Sequence, residues 1–265
     1  KIIMKQKYKH YEDIAIKASL IGGDILKKYF RSLSSFEIKD GAGIVTKADK
    51  ESEEAICYFL NKKTPEFSIL GEESGLSQRG KNRWIIDPLD GTTNFFHGFP
   101  YFNVSIGLEI DEEIVVGVVN SPISKELYHC SKNTGAYKNK KRIYVSNTKK
   151  LAKSLLGTGF AYMRGPELDE SINLFKEFSY LCHGIRRPGA AALDLCQLAS
   201  GIYDGFYEKT LSPWDVAAGS LLITEAGGKL SSFDGSKFSV YSKSIVASNT
   251  LLHDEIMKII NKWKP

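Results

Sequence analysis

The residues best placed to do chemistry lie in 84–100, W-I-I-D-P-L-D-G-T-T-N-F-F-H-G-F-P. An apolar strand is predicted to end at Asp87, Pro88 then turns the chain, and Asp90 follows three positions after Asp87. Two bare carboxylates held this close repel each other. A hard divalent cation between them removes the repulsion and favours oxygen ligands. Gly91, Thr92 and Thr93 are small residues suited to opening a helix, whose free N–H groups bind phosphate oxygens. The plainer alternative is that Asp87 and Asp90 are turn and cap residues, since D-P and D-G pairs are common in ordinary turns. Three further acids carry the same two readings. Glu72, in G-E-E-S at 71–74, follows a predicted strand and is either a third oxygen ligand or a surface loop acid. Asp215, in S-P-W-D at 212–215, begins a small-residue helix and reads alone as its N-cap. Asp49 stands near the start of another helix and reads alone as a helix-terminal acid.

The elements that must position these acids follow from apolar spacing. Ile14, Ala18, Ile21, Ile25 and Tyr29 recur every three or four residues, which predicts an amphipathic helix over 9–30. A loop or short hairpin is expected over 32–43, then a helix over 47–61 with Thr46 as N-cap. Strands are expected at 67–70 and 83–86 with a loop at 71–82 between them. A hairpin is expected from 104–108 and 114–119, turned by Asp111-Glu112-Glu113, with short strands at 127–130 and 136–137. The later chain alternates. Strands are predicted at 154–159, 184–187, 205–207 and 245–247, and helices at 168–180, 190–200, 216–226 and 251–262. Gly227-Gly228 stops the third of these helices. Two helices before a mainly antiparallel sheet, then strands alternating with helices, give α/β layering. A boundary near Asn147 divides the chain into 1–146, carrying most of the candidate ligands, and 147–265, carrying Asp215, within one compact unit.

Composition excludes several classes. The 265 residues are 42% hydrophobic and 25% charged, ordinary for a globular protein, and long enough for one large domain or two subdomains sharing a core. No apolar run approaches the roughly 18 residues of a membrane span, and the basic, polar start lacks a signal-peptide core, so a cytoplasmic protein is expected. The net charge of +5 comes from scattered Lys and Arg, which disfavours a nucleic-acid partner. Cys57, Cys130, Cys182 and Cys196 form no C-x-x-C pair and read as reduced, mostly buried thiols; together with five separated histidines they offer no zinc site.

Taken together, the segments resemble the inositol monophosphatase family. The resemblance rests on W-I-I-D-P-L-D-G-T-T-N-F at 84–95, G-E-E-S at 71–74, P-W-D-V-A-A-G at 213–219, T-E-A-G-G at 224–228, V-T-K-A-D at 45–49 and R-R-P-G-A-A-A-L-D-L at 186–195, in order across almost the whole chain. It implies a layered α-β-α-β-α sandwich of the inositol monophosphatase and fructose-1,6-bisphosphatase type. It also implies a phosphomonoesterase using two to three Mg²⁺ ions per site. Glu72, Asp87 and the Leu89 carbonyl would hold the first ion. Asp87, Asp90 and Asp215 would hold the second, with Glu72 helping a third through water. Gly91 and Thr92 would contact phosphate, Asp49 would orient Thr92 or the attacking water, and Asp90, Gly189, Ala191 and Glu208 would face substrate hydroxyls. Catalysis would be direct water attack with no phosphoenzyme, so Glu72, Thr92 and Asp49 act without covalent bonding to substrate.

The resemblance further implies a homodimer inhibited by lithium, acting on a small phosphate monoester, an inositol 1-phosphate first. Alternatives are a fructose 1,6-bisphosphatase or dual-specificity enzyme, with Arg186 or Arg187 reaching a second phosphate. A 3′-phosphoadenosine 5′-phosphate nucleotidase is a third choice, although those relatives usually have Lys where this chain has Thr93. A non-enzymatic role as a binding partner of the transcription machinery is the fourth. Lys39 falls in the loop that resembles the family's mobile metal-site loop, and reads otherwise as a solvated surface lysine.

Overall fold

The computed structural model describes residues 7–38, 43–160 and 165–263. The first helix, α1 (Lys9–Tyr29), follows the predicted apolar spacing and buries Ile14, Ala15, Ala18 and Leu26. A two-stranded antiparallel pair, β1 (Glu37–Ile38) and β2 (Ile44–Val45), occupies the expected loop or hairpin. Lys39 lies outside the described residues. The next helix, α2 (Lys47–Lys63), is capped by Thr46, whose hydroxyl accepts the Ala48 N–H at 3.1 Å while Asp49 reaches back to the Thr46 N–H at 2.8 Å. This reciprocal box satisfies donors that a helix start leaves open.

The first sheet has β3 (Ser68–Gly71), β4 (Gly75–Ser77), β5 (Arg83–Asp90), β6 (Asn103–Ile110), β7 (Glu113–Ser121), β8 (Glu126–Ser131), β9 (Ala136–Lys138) and β10 (Lys141–Ile143). Their order is β10-β9-β8-β7-β6-β5-β3-β4, antiparallel throughout except for the parallel pair of β3 with β5. A short helix, α3 (Thr92–Phe96), joins β5 to β6. At the predicted β6–β7 turn, Asp111 and Glu112 both have left-handed φ of 50° and 62°, the backbone that suits the twist of a tight hairpin.

The second sheet is mixed. Its strands are β11 (Leu155–Thr158), β12 (Gly184–Arg186), β13 (Gly205–Lys209), β14 (Lys229–Ser231) and β15 (Ser244–Ser248), ordered β12-β11-β13-β15-β14. The first three run parallel, while β15 runs against both β13 and β14. The helices are α4 (Pro166–Leu181), α5 (Ala191–Ala199), α6 (Pro213–Glu225) and α7 (His253–Lys262).

Alternation along β5 shows the layering. Trp84 and Ile86 face outward into a core with Ile14 and Ala18 of α1 and Ile56 and Leu60 of α2. Ile85 faces the other way, into a core with α5, α6 and Phe206 and Ala247 of the second sheet. Leu174, Phe178, Ile256 and Ile259 of α4 and α7 cover the remaining face with Tyr207 and Val246. The order is α-β-α-β-α, as the resemblance implies. Among the described residues no helix is long and apolar enough to cross a membrane. The four cysteines are free thiols, with Cys130 and Cys196 fully buried.

Two expectations change. The segments 71–82, 138–143 and 227–231 contain the three-residue strands β4, β10 and β14, too short to show a period. The predicted turn at Pro88 is instead a continuation of β5 to Asp90 through a register shift.

The helix α6 packs directly on the backbone of the first sheet at Gly107 and Gly117, partners across β6 and β7 that have no side chains. A Cβ on Gly107 would stand 2.8 Å from Ala217 Cβ, and one on Gly117 2.6 Å from the Ala218 carbonyl oxygen. A methyl at 117 therefore meets backbone that cannot swing aside. Gly117→Ala is expected to destabilise the fold by about 1–3 kcal/mol, the usual cost of overpacking, seen as an earlier urea midpoint with little change in slope.

Candidate active site

Asp87 and Asp90 owe their meeting to the irregularity in β5. In a regular strand, residues three apart point to opposite faces. Asp87 pairs with Ser105 and Asp90 with Asn103, so three steps on β5 match two on β6. The one extra residue is a bulge, tolerated because Pro88 has no N–H to lose from the ladder, and it restores the phase of the two carboxylates. Both are buried.

Each carboxylate is fixed by protein donors. Asp87 Oδ1 accepts the Leu89 N–H at 3.0 Å. Asp90 Oδ2 accepts Asn103 Nδ2 at 2.7 Å and the Ala192 N–H at 2.9 Å. Ala190, the N-cap of α5, offers no side-chain acceptor, so Asp90 caps that helix from the other sheet. Asp215 is not itself an N-cap. Ser212 holds that place, and Asp215, three residues on, accepts the Ser212 N–H at 2.7 Å. Asp49 occupies the same third position in α2. Its Oδ2 takes the Thr46 N–H and hydroxyl, and its Oδ1 lies 3.0 Å from the Thr92 hydroxyl, which is also 3.0 Å from the Leu89 carbonyl oxygen. Gly91, at the start of α3, has φ 89°, a left-handed backbone, and a Cβ there would meet the Tyr101 carbonyl oxygen at 3.0 Å.

The electrostatics tie these groups together. Burial, then the charges of Glu72, Asp90 and Asp215, push the Asp87 carboxyl well above the usual range. Burial likewise raises Asp90, against its hydrogen bonds from Asn103 and α5. Burial raises Asp49 to about 6, against its bonds from Thr46 and Thr92. Glu72, Asp90 and Asp215 thus bring their negative charge to bear on Asp87. Among the described residues, no three Asp, Glu, His or Cys side chains already stand as a closed metal-holding set. The donor chemistry nonetheless fits a hard divalent ion, because all the donors are oxygens and their shared excess charge is what such an ion neutralises.

A cleft of about 70 Å³ opens beside them, lined by Asp90, Gly189, Ala191, Glu208 and Asp215, and also by Arg187, Asp194 and Phe160. The structure therefore gathers the whole expected hydroxyl-facing set. Asp49 on α2, Glu72 after β3, Asp87 and Leu89 on β5, and Gly91 and Thr92 at the start of α3 do not line the cleft. Gly159 leaves room for Glu208, since a Cβ would fall 1.9 Å from Glu208 Oε1. Burial, then Asp194 and Asp215, hold the Glu208 carboxyl well above its usual range. Arg187 reaches the cleft with its guanidinium 5.5 Å over the Phe160 ring, while exposed Arg186 donates back to the Ile185 carbonyl at 3.0 Å. A larger cleft of about 730 Å³ lies at the other ends of β5 and α6, around Arg83, Glu109 and Glu225, and holds none of these acids.

Sequence reasoning missed four supports. Asn94 Nδ2 donates to the carbonyls of Tyr101 and Pro188 at 2.8 and 2.9 Å, pinning the loop before α5. Asp194, 1% exposed, accepts the Tyr101 hydroxyl at 2.7 Å. Asn103 holds Asp90, and Glu53 holds the loop around Glu72. Only Asn94 and Asp194 lie inside recognisable motifs; the others carry no local signal.

The model of the inositol monophosphatase family matches residues 7–264. An inositol-1-monophosphatase of Synechocystis is 41% identical, covering 94% of this chain and 88% of that protein. A fructose-1,6-bisphosphatase/inositol-1-monophosphatase of Aquifex aeolicus is 40% identical, covering 97% of this chain and 98% of the relative. Among solved structures, the extragenic suppressor protein suhB of Bartonella henselae superposes with a TM-score of 0.90 at 35% identity, covering 94% of this chain and 98% of that one.

The raised Asp49 carboxyl has a consequence for pH. A carboxyl that holds its proton more tightly folded than unfolded contributes stability at low pH, and that contribution is lost as pH rises through the folded value. Moving from 3.8 to about 6 corresponds to about 3 kcal/mol. In metal-free protein, denaturant melts are expected to show wild type losing up to about 3 kcal/mol relative to Asp49→Asn between pH 4 and pH 7.

Proposed function

The chain belongs to the inositol monophosphatase family, and from that premise we propose that this phosphatase is Mg²⁺-dependent and acts on an inositol monophosphate. Glu72, Asp87, the Leu89 carbonyl, Asp90 and Asp215 are the proposed ligands for two to three ions. The observation that carries this is the burial of Asp87 among three other acids, each raising its proton affinity. When bound, a divalent cation supplies charge to the phosphate oxygens and acidifies water.

The chain's own groups do the rest. Asp90 has Oδ2 committed to Asn103 and Ala192, which turns its other oxygen to the site. Gly91 offers backbone that approaches phosphate closely. The Thr92 hydroxyl proton is shared between Asp49 and the Leu89 carbonyl, so its lone pairs are presented as an acceptor for a water proton. That suits Thr92 to orient an attacking water, and direct water attack with no phosphoenzyme is the proposed route. A loose phosphoryl-transfer transition state needs this positioning more than covalent chemistry.

On the leaving-group side, Glu208 and Asp90, with the backbone at Gly189 and Ala191, suit the hydroxyls of a polyol. A second phosphate fits this cleft less well. Among the described residues that line it the one cation is Arg187, whose charge already acts on Asp194 and Glu208, and the other charged groups there are carboxylates. An inositol monophosphate is therefore favoured over a sugar bisphosphate.

Phosphate release from inositol 1-phosphate is expected to require Mg²⁺ and to exceed release from fructose 1,6-bisphosphate and 3′-phosphoadenosine 5′-phosphate. Asp87→Asn is expected to lower kcat by about a thousandfold or more, since several kcal/mol of charge stabilisation is at stake. Preference for the bisphosphate would overturn the substrate; no release from any of the three by folded protein would overturn the metal site.

A further inference from the structure

We infer that Glu53, on α2, is a positioning residue that sets Glu72 at the cation site. Glu72 opens the three-residue loop between β3 and β4, and β4 is one of the two edge strands of the eight-stranded sheet. A loop at a sheet edge has little of its own to hold it. Here three consecutive N–H groups are engaged. Glu72 N–H donates to the Ile86 carbonyl at 3.2 Å, next to Asp87. Glu73 N–H donates to Glu53 Oε2 at 3.0 Å and Ser74 N–H to Glu53 Oε1 at 2.7 Å. One carboxylate receives two successive backbone donors, a charge-assisted, two-point grip.

Burial and shape make the grip specific. Glu53 is 3% exposed and stands on the inner side of α2, one residue from Ser52, whose hydroxyl donates to the Pro88 carbonyl at 3.1 Å. The same turn of helix therefore touches both the Glu72 loop and the bulge that carries Asp87 and Asp90. Gly71 makes room for the carboxylate: a Cβ there would lie 2.6 Å from Glu53 Oε2. A buried carboxylate costs desolvation, and the two N–H bonds are what offset it. Its oxygens face backbone on the Glu72 loop, so its effect on the site passes through where that loop stands.

The inference rests on the reading that Glu72 holds a cation. Its test is Mg²⁺ and Mn²⁺ titration of metal-free protein by calorimetry, alongside thermal melts. Outer groups that orient a ligand typically matter by about 10- to 100-fold in affinity. Glu53→Gln replaces one acceptor with a donor facing an N–H, and Glu53→Asp keeps the charge but shortens the reach; both are expected to weaken binding by about 10-fold or more. Gly71→Ala, which crowds the carboxylate from the other side, is expected to act in the same direction and decides the matter if the Glu53 variants do not fold. Exposed Glu54→Gln is expected to bind as wild type does. Lower melting temperature with unchanged affinity in the Glu53 variants would overturn the inference, as would weakening by Glu53→Gln but not by Glu53→Asp, which would assign the effect to charge. Wild-type affinity in Glu72→Gln would instead overturn the ligand reading on which the inference stands.

Discussion

One oxygen of Asp90 joins the two halves of the molecule. It leaves the end of β5 in the first sheet and receives the opening N–H of α5, the helix that rests on the second. That helix has an alanine where a capping side chain is usual, so its exposed donors are satisfied from across the interface or not at all. Asn103 on β6 steadies the same oxygen from the side. The apolar core between the sheets holds them together, and this junction fixes how Asp90 meets α5 and which of its oxygens is left for the cleft.

The same economy runs through the site. Asp49 and Asp215 each close a capping box at the third position of a helix, and each is also a proposed carboxylate of the site. An acid spent on a helix start has a fixed rotamer, and a fixed rotamer is what a metal ligand or an orienting group requires. The cost is concentrated charge. Asp87, Asp90, Asp194 and Glu208 are all held above their usual ionisation range by burial and by one another. Such a site is poised to exchange protons for cations, which is the electrostatic basis of a metal-dependent phosphatase.

Much of this was legible in the sequence, and the exceptions have physical causes. Long amphipathic helices and hairpins announce themselves by period, and α1, α2 and the β6–β7 hairpin fall within a few residues of expectation. Strands of three residues cannot show a period, so β4, β10 and β14 were hidden. The D-P-L-D spacing read as a turn because a bulge and a turn share the same local residues; only the partner strand distinguishes them. The candidate acids were identifiable by type and motif, but their holders were not. Glu53 meets its loop across 20 residues, and Tyr101 meets Asp194 across 93. Contacts of that separation leave no trace in a local pattern.

The facing glycines of β6 and β7 have an evolutionary reading as well. They do not line the cleft, yet they lie against the helix whose first turn carries Asp215. Drift that enlarges either one lifts α6 and with it a corner of the acid cluster. Selection on turnover should therefore purge variation at these two featureless positions nearly as strictly as at the carboxylates, so that a map of tolerated substitutions would mark them as functional although they possess no functional group.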